Sequence, residues 1–82
     1  MKMQWTPIRV VTAEGDPLRP TAFWWRGRRR RVGQIQEQWQ DAGAWWAGEE
    51  PRWFFRVESD GVLYEMAADA KGRQWWMYRI FD

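Results

Sequence analysis

The chain has 82 residues with no cysteine and no histidine, which excludes disulfides, thiolate zinc sites, iron–sulfur clusters, thiol nucleophiles and imidazole bases. At 45% hydrophobic and 29% charged residues it has the balance of a folded soluble domain, and its length leaves room for one small core. The net charge of +2 conceals an asymmetry: residues 19 to 31 hold six arginines and no acid, and the remainder sets seven bases against eleven acids, a balance of −4.

In chain order, most pieces between turn signals read with a period of two. Residues 7–12 read as a strand, β-branched from Ile8 to Thr12, that ends at Glu14-Gly15-Asp16-Pro17, a turn followed by Pro20. Residues 21–26 are aromatic, and Gly27 permits a tight reversal into residues 29–39. In that segment Val32, Ile35 and Trp39 would suit a helix, but Gly33 and the thin apolar stripe favour a strand bulged at Gly33. Asp41-Ala42-Gly43-Ala44 is a turn, Trp45-Trp46 a short extended piece, and Ala47 to Pro51 a loop. Residues 52–58, 62–67 and 73–81 then alternate cleanly, separated by Ser59-Asp60-Gly61 and by Asp69-Ala70-Lys71-Gly72. The expected fold is all-β. It is a single small antiparallel sheet of five to six strands, strongly curled or forming an SH3-like or OB-like open barrel, that ends in a three-stranded meander.

Nine tryptophans, four phenylalanines and two tyrosines are more rings than a core of this size can bury, since each can cover about 150–250 Å². They recur in tandem as Trp24-Trp25, Trp45-Trp46, Phe54-Phe55 and Trp75-Trp76. Neighbours in a strand point to opposite faces, so each pair gives one ring to each side of the sheet. One of the two packs a core; the other calls for a second cluster, a partner or a ligand.

The run Phe23-Trp24-Trp25-Arg26-Gly27-Arg28-Arg29-Arg30-Arg31 joins stacking rings to guanidinium groups, the ingredients of single-strand nucleic-acid binding. The candidate contact residues are Trp24, Trp25, Arg26, Arg28, Arg29, Arg30 and Arg31, with Trp45 and Trp46 extending the platform. If the arginines continue a strand, about half of them serve any one face. The competing reading is a solvated edge strand that discourages sheet aggregation, or ion pairs with Glu37, Asp41, Glu49 and Glu50. Carboxylates could pair for acid–base work, yet Asp41, Asp60 and Asp69 fall in turns, and no motif points to catalysis, to a metal or to a cofactor. No apolar run approaches the length of a membrane span and the start lacks the apolar stretch of a signal peptide, so a cytoplasmic location is expected.

The second half carries a resemblance. Trp45-Trp46, Pro51 to Glu58, Gly61 with Tyr64, Asp69, Gly72 and Trp75, and the close Tyr78-Arg79-Ile80-Phe81-Asp82 resemble the C-terminal segment of ImuB-type proteins, catalytically inactive Y-family polymerase relatives of bacterial mutagenesis cassettes. With Phe23 to Arg29 and residues 32–39 in front, the chain resembles a small stand-alone bacterial family of unknown function. It departs from the tail pattern at Ala68, where Arg is frequent, and at Trp53 and Phe54, where Tyr is.

The resemblance implies an accessory of DNA-damage tolerance that contacts DNA, a polymerase or another mutagenesis-complex protein. The expected function is therefore non-enzymatic binding of nucleic acid, single-stranded DNA above all. The alternative is an SH3-like protein-interaction module whose rings dock a peptide or a second copy as a homodimer.

Overall fold

A computed structural model describes residues 5–41 and 50–82 of the chain. Eight strands form in order: β1 (Thr6–Ile8), β2 (Val10–Ala13), β3 (Asp16–Trp25), β4 (Arg28–Arg31), β5 (Gln34–Asp41), β6 (Arg52–Ser59), β7 (Val62–Ala68) and β8 (Trp75–Phe81). The all-β expectation holds, and β6–β7–β8 is the expected antiparallel meander.

The single curled sheet does not form. The strands divide into a five-stranded sheet, β1-β8-β7-β6-β5, and a three-stranded sheet, β2-β3-β4, and both are open, with separate edge strands. The sheets pack on each other through Phe23 of β3, fully buried, whose ring meets Tyr64 of β7 edge-on at 5.0 Å. Phe55, Val57, Met66, Ala68, Trp75 and Met77 complete the buried cluster. Layering two sheets removes one face of each from water without the curvature that a lone sheet would need.

Residues 29–39 are two elements, and the division falls at Val32-Gly33. The Val32 amide donates to the Thr21 carbonyl at 2.9 Å, inside the small sheet; the next amide, Gly33, donates to Glu58 at 2.8 Å, inside the large one. Successive amides of an extended chain point in opposite directions, so one strand can leave a sheet and enter its neighbour without losing a hydrogen bond. A Cβ on Gly33 would lie 2.7 Å from the Glu58 carboxylate, a flexible side-chain end that can move aside, and 3.4 Å from the Glu58 backbone carbonyl. The bulge predicted at Gly33 occurs instead at Gln36, between Ile35 and Glu37 of β5. A second transfer occurs at Arg9: Ile8 pairs with Trp75 in the large sheet, and Arg9 then accepts from the Trp24 amide in the small one.

β3 starts at Asp16, several residues before the expected strand, and runs through both prolines. Residues 16–20 have partners on the β2 side alone, because β4 reaches only Ala22 to Trp25, and a half-paired stretch tolerates residues that lack an N–H. Asp69 organises the last turn as expected, its Oδ1 accepting from the amides of Lys71 and Arg73. Among the described residues no helix is long and apolar enough to cross a membrane.

Candidate nucleic-acid interface

The β3–β4 hairpin fixes where the arginines go. Trp25 pairs with Arg28, Trp24 with Arg29, Phe23 with Arg30 and Ala22 with Arg31. Side chains directly across an antiparallel pair share a face. Arg29 and Arg31 therefore stand with Trp24 on the outward side of the small sheet, and Arg28 and Arg30 share the inward side with Trp25. The predicted division into halves is observed.

On the outward side the Trp24 ring lies between two cations, with the Arg9 guanidinium 4.9 Å and the Arg29 guanidinium 5.8 Å from its centroid. Arg9 reaches this position because its carbonyl accepts from the Trp24 amide at 3.0 Å. Sequence reasoning missed Arg9, since only the register of β2 on β3 brings it there. An indole flanked in this way orders two flexible guanidinium groups before any ligand arrives.

The inward residues do different work. Trp25 is half-buried and packs against the core, with the Arg26 guanidinium 5.9 Å from its ring. Arg30 is also half-buried, and its Nε is buried without a hydrogen-bond partner. Arg26 and Gly27 form the two-residue turn with φ of 53° and 76°. An arginine in the left-handed region is unusual, because asparagine or glycine takes that conformation at lower cost.

Of the acids that sequence reasoning offered these arginines, Glu37 pairs instead with Arg56, which also pairs with Glu65, and Glu49 lies outside the described residues. Trp45 and Trp46 lie outside the described residues. Nor do the described residues bring three potential metal ligands together.

A family model described as a domain of unknown function, DUF6504, matches residues 3–82. The chain belongs to the DUF6504 family. No curated protein and no solved structure matches it.

This DUF6504 chain carries a second aromatic surface, on the outward side of the large sheet. Trp5 stacks on Tyr78 at 5.3 Å and meets Phe54 edge-on at 5.9 Å, and Phe54 stacks on Trp39 at 5.6 Å. The Arg52 guanidinium lies 5.2 Å from the Trp5 ring and 5.5 Å from that of Trp76, in a cleft of about 310 Å³. Burial, and after it the Glu65 carboxylate, raises the Tyr78 phenol above its ordinary pKa. The tandem-ring expectation is met here: Phe55 and Trp75 enter the core while Phe54 and Trp76 stand on the far side.

Proposed function

We propose that this chain is a non-enzymatic binding module for single-stranded nucleic acid, single-stranded DNA in particular, and that the outward side of β2–β3–β4 is the contact face. The observation that carries this reading is the Arg9–Trp24–Arg29 ladder with Arg31 in the adjoining row, exposed guanidinium groups with no carboxylate in ion-pair range among the described residues. Guanidinium groups neutralise phosphates and their planes stack on bases. Because the two cations flank the Trp24 ring, its main part is to hold them in place, and bases stack on the guanidinium planes. An arginine at the strained Arg26 position, where the turn itself favours other residues, supports the same reading.

The resemblance to the ImuB-type tail supports, as a setting, an accessory role in bacterial DNA-damage tolerance, with a polymerase or mutagenesis-complex protein nearby. The direct test is anisotropy of a labelled single-stranded oligonucleotide across a salt series. Affinity is expected to fall steeply between about 50 and 200 mM salt, and the Arg29→Ala/Arg31→Ala variant to bind at least about tenfold more weakly with a shallower salt slope. Absence of binding at low salt, or an unchanged affinity in that variant, overturns the reading.

The ring array of Trp5, Trp39, Phe54, Trp76 and Tyr78 favours a second reading, a protein-docking face, since Trp, Tyr and Arg dominate the energetic centres of interfaces. Trp39, at 36% exposure, is its most open indole. A concentration-dependent mass approaching twice 10.0 kDa that Trp39→Ala abolishes is the result expected if the partner is a second copy.

A further inference from the structure

The chain changes sheets twice, once at each flank of the small sheet, and a groove opens at each change. At Arg9 the groove is about 380 Å³, and Arg73 of the β7–β8 turn borders it together with Arg9. At Val32-Gly33 it is about 630 Å³, and Arg19 of β3 borders it together with Arg31. Arg19 reaches that position through a bulge. Val11 pairs with Ala22 but Thr12 with Pro20, so Thr21 is an extra residue that reverses the alternation of β3. Pro20 and Leu18 therefore turn toward the core, and Arg19 between them stands on the same side as Trp24, Arg29 and Arg31. All four arginines at the grooves are exposed, and none has a carboxylate in ion-pair range among the described residues. Among those residues no acid lines either groove, whereas the cleft at Arg52 on the far side of the large sheet collects Asp41, Glu50 and Asp69.

We infer that the two grooves prolong the contact face into one track for a single strand's phosphates, running from Arg73 and Arg9 past Trp24 to Arg29, Arg31 and Arg19. This rests on the single-strand reading above and adds to it the course and length of the site, with Arg19 and Arg73 as further contact residues. Arg9 and Arg29 flank Trp24 from opposite neighbouring strands, so the path crosses the small sheet from flank to flank instead of following one strand. Each end of the crossing then meets a groove that already holds a second cation and no acid among the described residues. Contacts of this kind release counterions and stack on any base, so the track is indifferent to sequence. An acidic peptide answers the same charge but gives the guanidinium planes nothing to stack on, which favours the nucleic acid.

The test measures anisotropy of labelled oligothymidylates of about four and about twelve nucleotides, bound to the full chain across a salt series. With five arginines engaged, the slope of log affinity against log salt for the longer strand should be about −3.5, against about −2 if Arg9, Arg29 and Arg31 act alone. Arg19→Ala/Arg73→Ala should move the slope from the first value to the second, weakening the longer strand about tenfold and the shorter one about twofold or less. Arg79→Ala removes a cation from the outward side of the large sheet and should leave the slope as it is. Arg19 and Arg73 are exposed, so the double variant should fold, and its near-ultraviolet circular dichroism checks this. A wild-type slope near the smaller value, a double variant that keeps slope and affinity, or an equal response to Arg79→Ala overturns the track while leaving the contact face standing. Failure of wild type to bind either strand overturns the functional reading itself. Displacement of the longer strand by an oligoglutamate of equal charge, as readily as by unlabelled oligothymidylate, would show that charge alone is recognised and would overturn the assignment of the track to nucleic acid.

Discussion

Arg56 Nε donates to Oε2 of Glu65 at 2.8 Å, and its Nη2 lies 2.7 Å from the same oxygen. Glu65 is only 4% exposed although it sits on the outward side of the large sheet, and the register sets it between Arg56 on β6 and Arg79 on β8. Glu37 joins from β5, 3.5 Å from Arg56 Nη1, so charges alternate in a row across four strands. A carboxylate this well buried is tolerated because it is paired, and losing the partner costs more than losing the pair. Arg56→Met should lower the urea midpoint, and Arg56→Met/Glu65→Leu should restore most of the loss. A double variant weaker than the single one would refute this account.

The same cluster makes stability depend on alkaline pH. Burial first, and the Glu65 carboxylate second, raise the Tyr78 phenol above 10.0. Below that pH both folded and unfolded chains keep the proton, and the contribution is fully present. Above it the unfolded chain releases the proton first, so unfolding is favoured as pH climbs toward the folded-state value. Urea midpoints should fall from about pH 10 upward in wild type and fall less in Tyr78→Phe.

The parts of this architecture legible in the sequence are those with local causes. The meander could be read because Asp60-Gly61 and Asp69 to Gly72 carry their own turn chemistry, and the ring pairs because alternation is a property of any strand. Where the chain changes sheets could not be read. That choice at Val32-Gly33 depends on two acceptors, Thr21 and Glu58, far apart in sequence. Arg9 was missed for the same reason, because it gains meaning only opposite Trp24.

Trp24 and Trp25 should separate in experiment. Trp25 packs against the core, so Trp25→Ala should cost about 2 kcal/mol of stability, a discounted core value because the ring is half-exposed. Trp24 stands on the outward side between Arg9 and Arg29, so Trp24→Ala should cost about 1 kcal/mol and weaken oligonucleotide binding about tenfold by freeing both guanidinium groups. Chemical denaturation and anisotropy on the same two proteins decide the matter.

Two glycines with similar backbone conformations should respond differently to alanine. Gly61 has φ of +80° with open space around a would-be Cβ, so Gly61→Ala bears only the left-handed cost, about 1 kcal/mol. Gly72 has φ of +70°, and its Cβ would strike the Pro17 backbone carbonyl. Backbone cannot swing aside as a side chain can, and Gly72→Ala should cost about 3 kcal/mol or more. Equal urea midpoints for the two variants would show that the Pro17 contact is dispensable.

Arg26 offers the sharpest separation of stability from binding. Its φ of 53° places it in the left-handed region at the first position of a two-residue hairpin turn, which asparagine adopts more readily. Arg26→Asn should therefore raise the unfolding free energy by about 0.5–1 kcal/mol. If Arg26 contributes a phosphate contact, the same variant should bind single-stranded oligonucleotide about two- to fivefold more weakly, with a slightly reduced salt slope. A gain in stability with unchanged affinity would remove Arg26 from the contact surface and leave Arg9, Arg29 and Arg31 to carry it. A loss of stability would mean that the Arg26 guanidinium, 5.9 Å from the Trp25 ring, holds the hairpin more strongly than the turn opposes it.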